Sequence, residues 1–197
     1  MGNLINLNLL RIFREYTPEI FYCKNASILL KLNNSLSHHK FISYLTSLIK
    51  GDGTIIVPKT ERSSKGKFNY PFVQIVFYLK NLPLALLIQQ KLGYEALIQK
   101  KGLNAYILSI NDQKGILNLV NLLNSYMRTL KINYLYKLID WLNSHKLNLN
   151  LTKLSLNTES LKNNGWLSGF IEADGHFSVK TTMTGKYPKI ECKFKLS

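Results

Sequence analysis

The sequence is poor in acidic residues and cysteine, and it has no long apolar run. Its 11 Asp and Glu stand against 26 Lys and Arg, a net charge of +15, which favours a polyanionic partner because released phosphate counterions drive nonspecific nucleic-acid binding. A membrane surface is the competing polyanion. Cys23 and Cys192 alone exclude a cysteine zinc site and a disulfide framework, and they suit a reducing compartment. No stretch reaches the roughly 18 uninterrupted apolar residues that span a bilayer, which excludes an integral membrane protein.

Several catalytic motifs are also missing. The chain has no His-Glu-x-x-His metalloprotease motif, no phosphate-binding loop and no recognisable Ser/His/Asp pattern. No residue has the surroundings of a protein nucleophile. These absences exclude the common hydrolase and nucleotide-binding classes that such motifs identify.

The chain does contain an internal repeat, in which residues 44–55 are matched by residues 166–177. An internal repeat of this kind governs every later interpretation. The matched pairs are Leu45/Leu167, Ile49/Ile171, Asp52/Asp174, Gly53/Gly175 and Val57/Val179.

Each copy of the repeat predicts a helix that ends at Asp-Gly and continues as a strand, because apolar residues at helical spacing give way to an extended pattern. Small residues recur at every fourth position along both helices, and such stripes let helix backbones approach closely. The stripes are Ser43, Ser47 and Gly51 in the first copy and Gly165, Gly169 and Ala173 in the second. Packing along them would place Asp52 beside Asp174.

Two adjacent carboxylates repel each other unless a cation lies between them, and Mg²⁺ is the usual partner of one or two carboxylates with phosphate oxygens. The repeat therefore predicts a Mg²⁺ site at Asp52 and Asp174. A single Asp-Gly could equally be a plain helix-to-strand turn. Two copies with matching flanks favour the metal site.

The two segments Leu45–Gly53 and Leu167–Gly175 resemble the nine-residue signature of the LAGLIDADG homing endonucleases and intron maturases. The second copy is close to the family consensus. The first departs at its sixth position, where Lys50 replaces the usual acid. The resemblance implies that Asp52 and Asp174 bind metal together with the backbone carbonyls of Gly51 and Ala173.

The resemblance also implies an α+β fold of order αββαββα, in which a four-stranded antiparallel sheet forms a saddle over DNA and the motif helices form the interface between halves. The residue patterns agree with this order. Residues 71–80 alternate as a strand with Val73, Ile75, Phe77 and Leu79 on one face. Residues 82–92 read as a helix between Pro83 and Gly93, and residues 113–143 read as a helical region broken near residues 128–131.

Basic and polar residues of the first half are candidates for contact with nucleic acid, in the loop after the first strand and on the outer face of the sheet. They are Lys59, Arg62, Lys65, Lys67, Gln74, Tyr78, Lys80, Lys100 and Lys101. A solubilising loop and a packing role for Tyr78 are the alternatives. The resemblance adds Asn81 and Lys131 as residues lining the catalytic pocket, although Lys131 could equally be a solvated turn residue.

These patterns divide the chain into an N-terminal extension (residues 1–38), a first half-domain (39–146), a linker (147–163) and the start of a second half-domain (164–197). The second half stops opposite Lys80 of the first, so it has no counterpart of Asn81 through Asn143. We expect either a C-terminally truncated family member or an interrupted reading frame. Without its full saddle, the chain should be poorly soluble or self-associating.

As the resemblance implies, the expected function is site-specific cleavage of both strands of a long, asymmetric DNA duplex, using Mg²⁺ and an intramolecular pseudo-dimer in a full-length form. This truncated chain is expected to be inactive or impaired. The alternatives are an RNA maturase that helps its host intron to splice without chemistry of its own, and a nonfunctional remnant. The Asn-, Ile-, Leu- and Lys-rich composition suits an AT-rich organellar reading frame, and Arg11 and Arg14 lie in an acid-poor run with features of a transit peptide, so we expect a mitochondrial protein.

Overall fold

A computed structural model describes residues 38–93, 96–100, 102–145, 149–182 and 189–196. Nearly all of the predicted N-terminal extension lies outside these ranges. Lys101, one of the predicted nucleic-acid contacts, also lies outside them.

The described elements follow the predicted order of helix, two strands, helix, two strands and helices, after which the repeat begins again. The helices are α1 (His38–Asp52), α2 (Leu82–Leu92), α3 (Gln113–Leu123), α4 (Ile132–Ser144) and α5 (Trp166–Asp174). The strands are β1 (Gly53–Ile56), β2 (Phe72–Tyr78), β3 (Ala96–Gln99), β4 (Ala105–Ile110), β5 (Gly175–Thr182) and β6 (Lys189–Leu196). Two short 3₁₀ helices lie at Leu79–Asn81 and Leu161–Asn163.

The first half is built on an antiparallel sheet of order β1-β2-β4-β3. Its inner face carries alternate apolar residues that pack against the helices, because successive strand residues point to opposite faces. Val73, Ile75 and Phe77 of β2 and Leu108 and Ile110 of β4 are all buried there. This architecture confirms the predicted α+β fold with its four-stranded antiparallel sheet.

The predicted strand at residues 71–80 is two residues too long at its carboxyl end. Strand β2 stops at Tyr78, and the chain turns into the 3₁₀ helix that contains Leu79, Lys80 and Asn81. Leu79, expected on the buried face, is therefore 37% exposed. Asn81, expected at a strand end, instead precedes α2 as its N-cap residue.

The helical boundaries have local causes. Pro83 lies in the first turn of α2, where its missing N–H has no helical partner in any case, and Gly93 ends the helix with a φ of 84°. Helix α3 begins at Asp112, whose carboxylate accepts hydrogen bonds from the backbone amides of Lys114 and Gly115. The predicted break between α3 and α4 spans residues 124–131.

Residues 149–160, within the segment predicted to be a linker, have no regular secondary structure and lie against α3 and α4. The Asn124 side chain donates to the Thr152 carbonyl at 2.7 Å and accepts from the Leu154 amide at 3.1 Å. Asn143 likewise donates to the carbonyl of Leu151 and accepts from its amide, at 2.9 and 3.0 Å. The two amide side chains therefore pair with this segment as a neighbouring strand would.

The repeat after this segment consists of α5 and the hairpin β5-β6. Its apolar residues are mostly exposed, in contrast to the buried core of the first half. The exposed set comprises Leu167, Phe177, Val179, Ile190, Phe194 and Leu196. Exposed apolar side chains favour contact with another molecule, which gives a physical reason for the expected self-association. Self-association stays a prediction. Among the described residues, no helix is long and apolar enough to cross a membrane.

Candidate active site at the paired helix ends

Helices α1 and α5 pack with their backbones in close contact. A methyl group at Gly169 would overlap the Ser47 hydroxyl and the Tyr44 carbonyl oxygen, and one at Gly165 would overlap the Lys40 carbonyl oxygen. At the far end of the pair, a methyl group on Gly51 would overlap the Ala173 side chain; Ser43 is buried on α1. Small side chains thus let the two helices run against each other up to the two aspartates.

Each helix leads directly into its strand through the glycine that follows the aspartate. A Cβ on Gly53 would lie 2.6 Å from the Ile49 carbonyl oxygen, and one on Gly175 would overlap the Ile171 carbonyl oxygen. Gly175 has a φ of −81° and a ψ of 133°, which any residue can adopt. Close backbone approach, and not a left-handed turn, explains the glycine in each copy.

The two helix ends bring Asp52 and Asp174 into one acidic cluster. A methyl group on Gly51 would lie 3.2 Å from Asp174 Oδ1, so the Asp174 carboxylate covers the last turn of α1. Burial, and then the negative charges of Asp174 and Glu172, raise the pKa of Asp52 to about 6, while the Lys131 ammonium opposes the shift. The acids therefore lie close enough for their charges to interact strongly.

Lys50 supplies a positive charge within this cluster. Its Nζ donates to Asp174 Oδ2 at 2.5 Å and lies 4.1 Å from the centre of the Phe170 ring. The contact joins the first half of the chain to the second. Sequence reasoning noted that Lys50 departs from the family signature but did not predict this ion pair.

Lys131 lies at the carboxyl end of α1. Its Nζ donates to the carbonyl oxygens of Ile49 and Lys50 at 2.8 Å each and to that of Gly53 at 2.5 Å. The first two carbonyls belong to the last turn of α1, which leaves them without helical partners, and the third belongs to the first residue of β1. The contacts also place a cation at the negative end of the helix dipole. Burial, and then the charge of Lys50, lower the pKa of Lys131.

Asn81 contacts an acid that the sequence analysis did not select. Its Nδ2 donates to Glu172 Oε1 at 3.2 Å, which links the first half to α5. Glu172 is the counterpart of Lys50 in the repeat, and its acidic character at the sixth signature position was the available signal. Burial, and then the charges of Glu172 and Asp52, also raise the pKa of the Tyr44 hydroxyl.

The donor set at the helix ends fits a hard divalent cation. Asp52 and Asp174 supply carboxylate oxygens, and a bound cation would offset both the burial and the neighbouring negative charges that raise the pKa of Asp52. The described residues contain no group of three or more His, Cys, Asp and Glu side chains placed to hold a metal. Backbone carbonyls, water or phosphate oxygens would have to complete the coordination, as is usual for Mg²⁺.

The basic loop between β1 and β2 is a hydrogen-bonded hairpin tip. Arg62 donates to the Gly66 carbonyl at 2.8 Å and its guanidinium lies 3.8 Å from the centre of the Phe68 ring. Lys59, Lys65 and Lys67 are exposed on the same loop. The loop therefore presents three lysines around an arginine that also contributes to its internal structure.

The outer face of the sheet is more apolar than predicted. Gln74 lies at its middle and Tyr78 is 69% exposed, but their neighbours on this face include the exposed side chains of Val76 and Ile98. Lys80 lies in the 3₁₀ helix beyond the strand, and Lys100 follows the end of β3; both are exposed. The outer face therefore mixes polar and apolar side chains, and the lysines lie beyond the ends of its strands.

The raised pKa of Asp52 predicts a pH-dependent gain in stability for Asp52→Asn in the metal-free protein. When a carboxyl group has a higher pKa in the folded state than in the unfolded state, its ionisation destabilises the folded protein. The stability gained by Asp52→Asn relative to wild type should therefore grow between pH 3.8 and about 6. This gain should stay constant above that range and vanish below it. Thermal melts across this range in a chelating buffer measure it, with the exposed Asp140→Asn as control. A gain that did not change with pH would contradict the electrostatic cause.

Comparisons with known proteins agree with this geometry. The sequence profile of a family described as LAGLIDADG endonuclease matches residues 45–142. The intron-encoded DNA endonuclease aI3 of Saccharomyces cerevisiae is 33% identical over 165 residues, which cover 78% of this chain and 39% of that protein. The intron-encoded RNA maturase bI4 of the same organism is 28% identical over 165 residues, covering 82% of this chain and 23% of the relative. The chain thus spans well under half the length of either relative.

A solved structure shows the same fold. The LAGLIDADG meganuclease I-CpaMI, crystallised with uncleaved DNA, superposes with a TM-score of 0.59 at 20% identity, over 78% of this chain and 68% of that one. At this level of identity the similarity establishes the fold.

Proposed function

The chain belongs to the LAGLIDADG family, and on that premise we propose that it acts on duplex DNA as part of a metal-dependent, site-specific endonuclease. The observation that carries the proposal is the meeting of Asp52 and Asp174 at the ends of two closely packed helices. The net charge of +15 supports a nucleic-acid partner. Because related proteins are intron-encoded, we also propose a mitochondrial location, as the composition suggested.

In this proposal, Asp52 and Asp174 each hold Mg²⁺, with the backbone carbonyls of Gly51 and Ala173 as further ligands. When bound, Mg²⁺ would supply charge stabilisation at the scissile phosphate and lower the pKa of the attacking water. Lys131 holds the carboxyl end of α1 through its three carbonyl contacts and so fixes the direction in which Asp52 points. Asn81 similarly orients Glu172 at the edge of the site.

The outer face of the four-stranded sheet would lie along the DNA. Gln74 can pair with adenine in the major groove, and apolar side chains such as Val76 suit the thymine methyl group. Lys59, Lys65, Lys67, Lys80 and Lys100 would contact the phosphate backbone around this face. The exposed Tyr78 would lie between the side chains that contact bases and the lysines that contact the phosphate backbone.

The test is an assay for strand breaks in a supercoiled plasmid that carries the uninterrupted host-gene sequence. We expect a site-specific nick that requires Mg²⁺ and Asp52, because both aspartates reach the site while the described part of the second half contributes a two-stranded sheet. A complete absence of breaks with Mg²⁺ or Mn²⁺ would contradict nuclease activity in this chain. A single linear product would show that the predicted impairment is wrong.

An RNA maturase is the second candidate, and one contact favours it. The Lys50 ammonium pairs with Asp174, one of the two carboxylates needed for metal. A splicing assay of the host intron separates the candidates, because a maturase should retain its effect when Asp52 is replaced by Asn. Loss of both splicing and nicking in that variant would favour neither role.

The basic loop should contribute phosphate contacts that a salt titration can count. Replacing Lys59, Arg62, Lys65 and Lys67 by Ala should reduce the slope of log affinity against log salt by up to about 0.9 per lost contact. Filter binding to duplex DNA at several salt concentrations measures this slope. Ala at Lys137 and Lys153, which lie on or beside α4, is the matched control. An unchanged slope in the loop variant would make the loop a solubilising segment.

A further inference from the structure

Lys50 and Glu172 occupy the same position of the repeat but carry opposite charges. Each side chain reaches across to the other half of the chain. Lys50 donates to Asp174 of the second half, whereas Glu172 accepts from Asn81 of the first half. The two carboxylates that would hold metal therefore have different neighbours: a cation contacts Asp174, and an additional acid lies near Asp52.

We infer that Lys50 is an internal counter-cation for Asp174 that competes with divalent metal for this carboxylate, so that the Asp52 and Asp174 positions load metal unequally. This inference rests on the proposed function, because it assumes that both aspartates bind metal. It concerns a residue that replaces the acid expected in the signature. Its consequence is a site whose two halves are chemically inequivalent.

The geometry of the Lys50 contact supports competition. Nζ lies 2.5 Å from Asp174 Oδ2, and the two side chains are 27% and 19% exposed, so bulk water screens the pair only in part. Charge-assisted hydrogen bonds of this kind are stronger than neutral ones. The Phe170 ring, 4.1 Å from Nζ, holds the ammonium against α5. A metal ion at Asp174 would have to displace this ammonium or bind beside a like charge.

Lys131, the other lysine near the two aspartates, forms its hydrogen bonds with backbone carbonyls and not with the Asp52 carboxylate. Its ammonium donates to three backbone carbonyls at the end of α1 and is fixed there. Near Asp52, the negative charge of Glu172 and the positive charge of Lys131 act in opposite directions, whereas at Asp174 a cation contacts the carboxylate directly. Metal should therefore bind first on the Asp52 side.

Mn²⁺ binding, followed by electron paramagnetic resonance of the free ion, tests the inference on the full chain without any cleavage. Lys50→Gln removes the ammonium and keeps a side chain of similar length. We expect it to tighten the weaker Mn²⁺ site by about tenfold, since one like charge beside the ion is removed. Lys50→Glu, which restores the family acid, should tighten it further. Lys153→Gln breaks the surface ion pair with Asp140 and is the matched control, with no expected change.

A second substitution shows where the gained affinity arises. In the Lys50→Gln background, Asp174→Asn should abolish the gain, because the competition is for that carboxylate. In the same background, Asp52→Asn should weaken Mn²⁺ binding at the Asp52 position and leave the gain in affinity at the Asp174 position unchanged. Metal-free Lys50→Gln should also melt at a lower temperature than wild type and be stabilised by Mn²⁺ by a larger shift, which confirms that the variant folds.

The outcomes separate this inference from the proposed function. If wild type binds Mn²⁺ through the aspartates but Lys50→Gln leaves both affinities unchanged, competition by Lys50 is wrong and the metal assignment stands. If Asp52→Asn and Asp174→Asn leave Mn²⁺ binding intact, or if no variant binds the ion, the metal assignment fails and the inference fails with it.

Discussion

Replacing Asp52 by Asn is expected to reduce metal-dependent nicking by on the order of 10³-fold, while the affinity for duplex DNA changes by less than about twofold. In the proposed function the carboxylate holds the metal that stabilises charge at the phosphate, whereas the proposed contacts with DNA lie on the sheet and the basic loop. An Asn side chain keeps the shape of Asp and cannot supply the same charge. Single-turnover nicking rates and filter binding measure the two effects separately.

Loss of nicking in Asp52→Asn cannot be attributed to unfolding if the stability prediction also holds, because the metal-free variant should then melt above wild type at neutral pH. Asp140→Asn, an exposed aspartate on α4 that pairs with Lys153, is the control for a general effect of removing negative charge. Nicking by Asp52→Asn at the wild-type rate in Mg²⁺ would exclude Asp52 as a metal ligand.

The sequence predicted the elements of the first half wherever a local cause was strong. Alternation in β2 identified Val73, Ile75 and Phe77 as the buried set, and Gly93 marked the end of α2. Leu79 continued the same alternation, so its exposure could not be foreseen from the pattern. The 3₁₀ helix that begins there is set by the connection from β2 into α2.

The docking of residues 149–160 was missed because polar contacts hold it. Asn124 and Asn143 pair with the backbone of this segment through their amide groups. Such contacts leave no apolar signal, and of the leucines in this segment Leu151 packs against the core while Leu154 and Leu156 are exposed. The composition of the segment could not distinguish a solvated connection from one that packs on α3 and α4.

Half of the candidate site could be predicted from the repeat. Matching flanks identified Asp52 and Asp174 as counterparts, and the small residues predicted how their helices would approach. The pairings of Lys50 with Asp174 and of Glu172 with Asn81 cross between the two halves. They depend on how α5 packs against α1 and against the start of α2, which residue spacing within one helix does not specify.

Gly169→Leu is expected to lower the melting temperature by about 2 to 12 °C, since overpacking typically costs about 1 to 3 kcal/mol and each kcal/mol corresponds to about 2 to 4 °C in a chain of this size. Even a methyl group at this position would overlap the Ser47 hydroxyl and the backbone carbonyl oxygen of Tyr44. The backbone atom cannot move without shifting α1, so the two helices must separate. Differential scanning calorimetry measures the change.

The direction of this effect is informative because helix propensity alone predicts the opposite. Leu has a higher helix propensity than Gly, by somewhat less than about 1 kcal/mol. A Leu with no steric conflict should therefore stabilise α5. Ser168→Leu, at the exposed neighbouring position of the same helix, is the matched control and should melt at or above the wild-type temperature. If Gly169→Leu behaved like Ser168→Leu, the close contact between α1 and α5 would be wrong, and Asp52 and Asp174 would not meet at one site.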